Sequence, residues 1–188
     1  MMAFEPVVDG QILPAVPVDG VAAGSSRGVD LLVGTNQDEH RLFLVPTGVA
    51  DATEDVTVQL IAGALGLGRE ALASYRAAAA SAGETLSAVL TDWFFRIPAI
   101  RLAEAHRGPS YMYEFAWKSP LFGGRLGACH ALEIPFVFDT LDAEGDPALL
   151  GPAPPRPGWP PPCTRRGFTS HGQGTPAGRR TSPPPAPP

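Results

Sequence analysis

The sequence predicts an α/β fold with a parallel sheet, because two strand-like segments are separated by a series of helical segments. Residues 29–34 form a short apolar run that does not alternate with polar residues, which is typical of a buried parallel strand. Residues 111–117 are rich in aromatic side chains, which favours a second strand. Parallel neighbours need a long crossover between them, and the intervening residues provide one.

Three helices are expected between the two strands. Residues 56–64 and 69–80 have helical character, and Thr53 is a candidate side-chain cap for the first of them. Residues 87–105 form a longer helical pattern with apolar positions roughly on one face. Pro98 lies inside that pattern, so it is expected to kink the helix or to divide it in two.

The composition divides the chain of 188 residues into two parts. Residues 1–150 hold all 19 acidic residues, carry a net charge of −10 and have the apolar content of an ordinary globular domain. Residues 151–188 contain 5 Arg, no acidic residue, and 19 Pro or Gly among 38 residues. Because so few large apolar side chains do not offset the entropy of the chain, this second part is predicted to be a disordered tail.

The same counts exclude several classes of protein. No apolar run approaches the ~18–20 residues that a membrane helix needs. Residues 1–6 lack the basic and apolar regions of a signal peptide, which favours a cytoplasmic location for the chain as given. Cys129 and Cys163 have neither metal-ligand spacing nor the pattern of a disulfide framework. The acidic globular part argues against nucleic acid as a partner, and no pattern defines an oligomeric state.

Polar clusters follow both predicted strands. Asp38 and Glu39 come directly after the first strand, and His130 lies in the loop after the second. The carboxyl ends of parallel strands share one edge of a sheet, where α/β proteins collect functional groups. A carboxylate beside a histidine forms an acid–base pair, because it holds the imidazole tautomer and stabilises the imidazolium ion. Glu39 and Asp38 both qualify as the acid, and a loop-capping role is favoured for Asp38.

The other reactive side chains have simpler interpretations. His40 and His106 stand beside Arg residues and are expected on the surface. Cys129 is expected to be a small buried residue, since adjacent side chains of an extended segment point apart and do not favour a pair with His130. The aromatic residues 93–95 are expected in the core or in a pocket wall.

Five segments, in order along the chain, resemble the type B carboxylesterase family, which includes para-nitrobenzyl esterases and cholinesterases. They are residues 4–14, 31–39 (LLVGTNQDE), 91–99 (TDWFFRIPA), 111–120 and 127–138 (GACHALEIPFVF). The resemblance covers nearly all of residues 4–140. It implies the carboxyl-terminal part of an α/β-hydrolase fold, with residues 1–150 as the domain portion.

The resemblance also implies a chemistry. In this family a serine attacks a carboxylic ester with the help of a Glu and a His, and the matching positions here are Glu39 and His130. The implied substrate is a small-molecule carboxylic ester, with no metal or organic cofactor. The family's nucleophile lies upstream of the acid motif, so the chain is interpreted as a fragment that is inactive alone. The alternative is a non-catalytic α/β binding module whose Pro-rich tail binds a partner.

Residues 24–28 (GSSRG) match the G-x-S-x-G pattern that surrounds a serine nucleophile, with Ser26 at its centre. That mechanism requires the serine on a sharp turn between a strand and a helix. Here the segment precedes a strand and follows none, so a Gly- and Ser-rich turn is the favoured interpretation.

The predicted tail has a second interpretation, a shifted reading frame. Back-translation of residues 163–182, read two bases on, permits the string HAAWVHFARTGDPGWPAYF, which resembles the helix and Gly-Asp-Pro turn that follow the family's histidine motif. The hypothesis places the slip near residues 154–156, against the alternative of a genuine Pro- and Arg-rich linker. Sequencing codons 150–160 tests it, since stops in the shifted frame contradict it.

Overall fold

The computed structural model describes residues 6–138, 140–141, 149–151 and 163–168, the last of these as backbone only. In chain order the elements are α1 (Pro17–Ala23), β1 (Leu31–Asn36), α2 (Arg41–Leu44), α3 (Val49–Ala52), α4 (Asp55–Ala64), α5 (Arg69–Ala78), α6 (Ala82–Thr91), a π-helical turn (Asp92–Arg96), α7 (Ile97–Ala105), β2 (Ser110–Phe115), a 3-10 turn (Leu121–Gly124), α8 (Ile134–Val137) and β3 (Cys163–Phe168). Among these helices, none is long and apolar enough to cross a membrane.

The central feature of the sheet is the parallel pair β1 and β2. Their register runs from Leu31 opposite Ser110 to Asn36 opposite Phe115, so both strands end at the same edge. The helices α2 to α7 form the crossover between them. This arrangement confirms the predicted α/β class, and it brings the two polar loops that follow the strands to one side of the sheet.

The third strand extends the sheet on the far side of β2. The backbone of β3 pairs antiparallel with β2, which makes the described sheet mixed in direction. Six residues of the segment 151–188, for which disorder was expected, therefore lie in the sheet, because the free edge of β2 offers unpaired N–H and C=O groups to an extended segment. Apart from Gly151, the remainder of that predicted tail is outside the described residues.

The helices α4, α5 and α6 form a separate apolar layer. Its core consists of Leu44, Val58, Ala62, Leu72, Leu86 and Val89. Both α4 and α5 lie within a few residues of their predicted positions, but the expected cap is wrong. Glu54 occupies the N-cap of α4, and the Thr53 hydroxyl donates instead to the Val49 carbonyl at 2.7 Å, across the end of α3.

The long helical pattern at residues 87–105, in which a kink or a division at Pro98 was expected, is interrupted just before that proline, which lies in the first turn of α7. Proline has no N–H to donate to the carbonyl four residues earlier, so the α-helical bonding pattern fails there. The turn before it widens into a π-helix, in which the N–H of Ile97 donates to the carbonyl of Asp92. The wide turn carries Phe94 and Phe95 toward the loop that follows β1, where both contact His40.

A second apolar core lies beneath the carboxyl ends of β1 and β2. Its buried members are Val45, Phe115, Leu126, Ala128, Cys129, Leu132 and Leu150. Four of these belong to residues 126–132, so the segment that carries His130 is packed against the core on both sides of the histidine. The position of this loop is therefore fixed by apolar burial as well as by hydrogen bonds.

His106 corrects an expectation of surface exposure. It is only 2% exposed, at the end of α7. Its Nδ1 lies 3.1 Å from Ser110 Oγ and its Nε2 lies 3.1 Å from the Ser26 carbonyl oxygen. The imidazole thus connects the segment before β1 to the start of β2. The expectation of a surface position rested on the adjacent Arg107, which carries no information about these distant partners.

Candidate active site

The loops after β1 and β2 are joined by backbone hydrogen bonds. The N–H of Asp38 donates to the Ala128 carbonyl at 2.9 Å, and the N–H of His130 donates to the Glu39 carbonyl at 3.2 Å. These bonds attach the loop after β1 directly to the segment that carries His130. The two sequence-predicted site residues, Glu39 and His130, are brought together by them although 91 positions separate them.

Glu39 and His130 are in direct contact. Glu39 Oε2 lies 2.7 Å from His130 Nδ1. The glutamate is 5% exposed, whereas the histidine side chain is 43% exposed. A buried carboxylate on Nδ1 favours a hydrogen on that nitrogen, so Nε2, on the opposite side of the ring, presents its lone pair on the exposed side.

The Glu39 carboxylate is itself held by the backbone. Its Oε1 accepts a hydrogen bond of 2.7 Å from the N–H of Asn36, and its Oε2 faces the histidine. Each oxygen therefore has its own partner. Because both oxygens are held, the plane of the carboxylate is fixed relative to the imidazole. A fixed carboxylate is what holds the imidazole in one tautomer.

Aromatic side chains form the walls around the histidine. The ring centroid of His130 lies 5.5 Å from that of Phe43 and 5.1 Å from that of Phe95. Phe43 is partly open to solvent, as are the neighbouring Trp93 and Phe94. Of residues 93–95, for which the core or a pocket wall was expected, Phe95 lies beside His130, whereas Trp93 and Phe94 are exposed and do not belong to the core. The rings restrict rotation of the imidazole and give its surroundings an apolar character.

Asp38 has the loop-tying role that was favoured for it. Its Oδ2 accepts a hydrogen bond of 3.0 Å from the N–H of Ala128, and its Oδ1 lies 3.2 Å from Arg41 Nε. The carboxylate connects the loop after β1 to the segment before His130. Among the described residues it has no contact with the imidazole, so Glu39 and not Asp38 is the acid next to the histidine.

Gly127 explains how the histidine loop approaches Asp38 so closely. Its φ is +59°, and a Cβ at this position would lie 2.2 Å from Asp38 Oδ2. Two residues of the loop, Gly127 and Ala131 (φ +66°), are therefore in the left-handed region on either side of the histidine. Such a backbone persists only where its surroundings hold it in place.

Asn36 is the site residue that sequence reasoning missed. It is 1% exposed, and its Nδ2 donates to the Cys129 carbonyl at 2.7 Å and to Glu133 Oε2. A buried amide needs hydrogen-bond partners, so an Asn at the end of an apolar strand is itself a signal of a polar network. That signal is present in the sequence, but the partners are 93 and 97 residues away.

Two neighbours of the pair have different roles from it. Cys129 is fully buried, and burial raises the pKa of its thiol to about 11, which confirms the small buried residue expected there. His40, expected on the surface, is instead half-buried against Phe43, Phe94 and Phe95. Burial lowers the pKa of His40, so this ring is a neutral part of the aromatic wall at pH 7.

Ser26 lies at the wrong end of the sheet to act on this pair. It precedes Leu31, where β1 begins, whereas Glu39 follows Asn36, where β1 ends. Six residues of extended strand separate the two ends by roughly 20 Å. The carbonyl of Ser26 contacts His106 instead. The formal G-x-S-x-G match at residues 24–28 is therefore a turn that enters β1.

The fold and this site define the class of the chain. Residues 1–147 match the sequence model of the Carboxylesterase family. The chain belongs to the carboxylesterase family, and its β1, crossover helices and β2 are part of an α/β-hydrolase fold.

Particular relatives agree with this assignment. The para-nitrobenzyl esterase of Bacillus subtilis (strain 168) is 34% identical over 145 residues, which cover 74% of this chain and 28% of that protein. The Crystal protein of Dictyostelium discoideum is 30% identical over 158 residues, covering 76% of this chain and 28% of that protein. A crystal structure of the Geobacillus stearothermophilus carboxylesterase at pH 6.2 superposes with a TM-score of 0.64 at 29% identity, covering 76% of this chain and 30% of the other. The chain thus spans less than a third of the length of these proteins.

Proposed function

We propose that this chain carries the acid and the base of a serine-type carboxylic ester hydrolase, with Glu39 as the acid and His130 as the base. The observation that carries the proposal is the 2.7 Å contact between Glu39 Oε2 and His130 Nδ1. It joins a buried carboxylate to a half-exposed imidazole at the carboxyl edge of a parallel pair of strands. That is the arrangement in which a histidine accepts and returns a proton.

The reaction uses the two ring nitrogens differently. Nε2 of His130 takes the proton of a serine hydroxyl while the serine oxygen forms a bond to the ester carbonyl carbon. The same proton then passes to the departing alcohol as the bond between that carbon and the alcohol oxygen breaks. Water hydrolyses the acyl-enzyme by the same route and yields the carboxylic acid. Glu39 stays ionised throughout and stabilises the imidazolium form of His130.

The serine in this proposal lies outside the present chain. Ser26 is roughly 20 Å from the pair, by the length of β1, and residues 1–147 span less than a third of the relatives they match. The chain alone is therefore expected to hydrolyse p-nitrophenyl acetate no faster than its His130→Ala variant. Robust turnover that disappears in the Ser26→Ala variant would contradict this part of the proposal.

A chimera tests the acid and base directly. Residues 1–147 replace the matching segment of the Bacillus subtilis para-nitrobenzyl esterase, which supplies the rest of the domain, and hydrolysis of a p-nitrobenzyl ester is measured. Glu39→Gln is expected to lower kcat by about 10³- to 10⁴-fold, in the range known for the loss of a triad carboxylate. The matched control is Asp38→Asn, the neighbouring acid that binds Ala128 and Arg41, and it is expected to cost much less.

Two outcomes of the chimera experiment would argue against the assignment. A larger loss in Asp38→Asn than in Glu39→Gln would move the acid to the neighbouring position. A folded chimera whose activity is unchanged by both Glu39→Gln and His130→Ala would remove the hydrolase proposal altogether.

The alternative is a non-catalytic binding module, and it rests on the Pro- and Arg-rich composition of residues 151–188, which would bind a partner. A surface that only binds a partner does not require a buried carboxylate on a histidine Nδ1, so the Glu39–His130 contact favours the hydrolase. Activity of the chimera that depends on His130 would exclude the alternative for this chain.

A further inference from the structure

Asn36 is connected to both members of the acid–base pair. Its backbone N–H donates to Glu39 Oε1 at 2.7 Å, and its Nδ2 donates to the carbonyl of Cys129, the residue before His130, at 2.7 Å. The same Nδ2 donates to Glu133 Oε2. A side-chain amide has two N–H hydrogens, so both are in use, and the residue is 1% exposed. All three of its donors therefore act on groups around the imidazole.

The three bonds constrain different parts of the site. The bond to Oε1 leaves Oε2 of Glu39 for His130 Nδ1. The bond to the Cys129 carbonyl fixes the peptide group between Cys129 and His130. The residue after the histidine, Ala131, has a left-handed backbone conformation. The bond to Glu133 anchors the far side of the same turn. One residue at the end of β1 thus holds the carboxylate through its backbone N–H and the loop that carries the ring through its side-chain amide.

Charge gives the amide a second role. Glu39 and Glu133 are both acidic, and Asn36 donates to the first through its backbone N–H and to the second through its side-chain Nδ2. A neutral donor between two carboxylates lowers their mutual repulsion, whereas a third acceptor at that position would increase it. The site therefore requires a donor at position 36 and not merely a polar side chain.

We propose that Asn36 and Glu133 form a positioning pair that holds His130 as the tautomer with hydrogen on Nδ1. In this way Nε2 of His130 is kept as the free base. The catalytic significance of this tautomer rests on the proposed function, because a lone pair on Nε2 matters only if that nitrogen accepts a proton. Its observable consequence, the tautomer of His130, is independent of turnover.

The test measures that tautomer in the full chain labelled with ¹⁵N-histidine. Long-range ¹H–¹⁵N NMR spectra distinguish Nδ1–H from Nε2–H, and His130→Gln identifies the signals of His130. In the unaltered chain Nδ1–H is expected to dominate. Asn36→Asp keeps the side-chain volume and the backbone N–H but replaces the donor by a carboxylate, and it is expected to abolish the dominance of Nδ1–H.

Thr35→Val is the matched control for Asn36→Asp. Thr35 is the preceding residue of the same strand, it is buried, and its Oγ1 has no hydrogen-bond partner among the described residues. This substitution is expected to leave the tautomer of His130 unchanged. An equal effect of Thr35→Val and Asn36→Asp would overturn the proposal, since it would show that any change at the end of β1 disturbs the ring.

Two further variants keep the proposal testable if Asn36→Asp fails to fold. Glu133 is half-buried, so Glu133→Ala removes the partner at small cost to the core and is expected to reduce the Nδ1–H population by less than Asn36→Asp does. Adding Glu133→Gln to Asn36→Asp exchanges donor and acceptor, and it is expected to restore part of the signal. Unchanged tautomer populations in both Glu133→Ala and folded Asn36→Asp would overturn the proposal.

The chimera separates this inference from the proposed function. If the tautomer depends on Asn36 but the chimera is inactive, the hydrolase proposal fails and the positioning pair stands. If the chimera is active, Asn36→Asp is expected to lower kcat severalfold or more with little change in KM, because the base and not the binding surface is affected. An active chimera with an unchanged kcat in Asn36→Asp would refute the role of the pair in catalysis.

Discussion

Two histidines lie at opposite ends of the β1–β2 pair, and their environments differ in kind. His130 follows the carboxyl ends, is 43% exposed along its side chain and has the buried carboxylate of Glu39 on Nδ1. His106 lies by the amino ends and is 2% exposed, with Ser110 Oγ near Nδ1 and the Ser26 carbonyl near Nε2. The difference separates the arrangement proposed for proton exchange at His130 from that of a histidine that joins two segments of the chain. Within the part of the chain that the structure describes, only Nδ1 of His130 has a hydrogen-bond partner, whereas both ring nitrogens of His106 have one.

The largest expected effect separates the two histidines by activity. In the chimera, His130→Ala is expected to lower kcat by about 10³-fold or more, because the proton acceptor is lost. His106→Ala is expected to leave kcat per folded molecule within a few-fold of the starting value, since it lies at the other end of the strands. Steady-state kinetics with active-site titration measure both values. Similar losses in the two variants would remove the distinction.

The same two variants are expected to reverse their order in stability. His106→Ala leaves the Ser110 hydroxyl and the Ser26 carbonyl without this partner in a buried site, which is expected to cost about 1–3 kcal/mol of unfolding free energy. His130→Ala also removes the partner of Glu39 Oε2, but truncation of this half-exposed ring lets water reach that oxygen, so the variant is expected to cost less. Urea unfolding of the full chain compares them, and a larger loss for His130→Ala would contradict the assignment of His106 as the structural histidine.

Two glycines test how much the contact between the histidine loop and Asp38 stabilises the fold. Gly127→Ala forces a Cβ to within 2.2 Å of Asp38 Oδ2 and breaks the bond from Ala128, whereas Gly123→Ala has the same sign of φ and no atom within 4 Å. Gly127→Ala is expected to cost about 1–3 kcal/mol more than Gly123→Ala, since both share the backbone strain and only one has the clash. Urea unfolding measures the difference, and equal losses would show that the contact with Asp38 carries no stability.

The smallest expected effect is on the reactivity of Cys129, the residue before His130. In a Cys163→Ser background, Cys129 is expected to react with iodoacetamide at pH 8 much more slowly in the folded chain than in urea. Burial both blocks access and raises the pKa of the thiol to about 11, so very little thiolate is present. Rapid labelling of the folded chain would show that the segment around His130 opens readily.

The fold and the acid–base pair were open to prediction because their signals are local or topological. An unalternating apolar run and an aromatic run predict two strands, and parallel strands place the loops after them at one edge. That rule predicts His130 beside one of two acids, Asp38 or Glu39, and the resemblance of residues 31–39 to the family's acid motif selects Glu39. The predicted helix cap was wrong, because the Thr53 hydroxyl donates to a carbonyl of α3 and does not cap the start of α4. His106 did not follow either, because its burial depends on segments before β1 and at the start of β2.

The sequence by itself determined the strand order in this crossover, the interruption of the long helix before Pro98, and the meeting of His130 with an acid of the loop after β1. These features depend on short-range periodicity, on the missing N–H of proline and on a rule of chain topology. Only the tertiary structure decided that Asn36 bonds Glu39, Cys129 and Glu133. The physical reason is that a buried polar group must find a partner, but which one it finds depends on packing between residues about 90 positions apart.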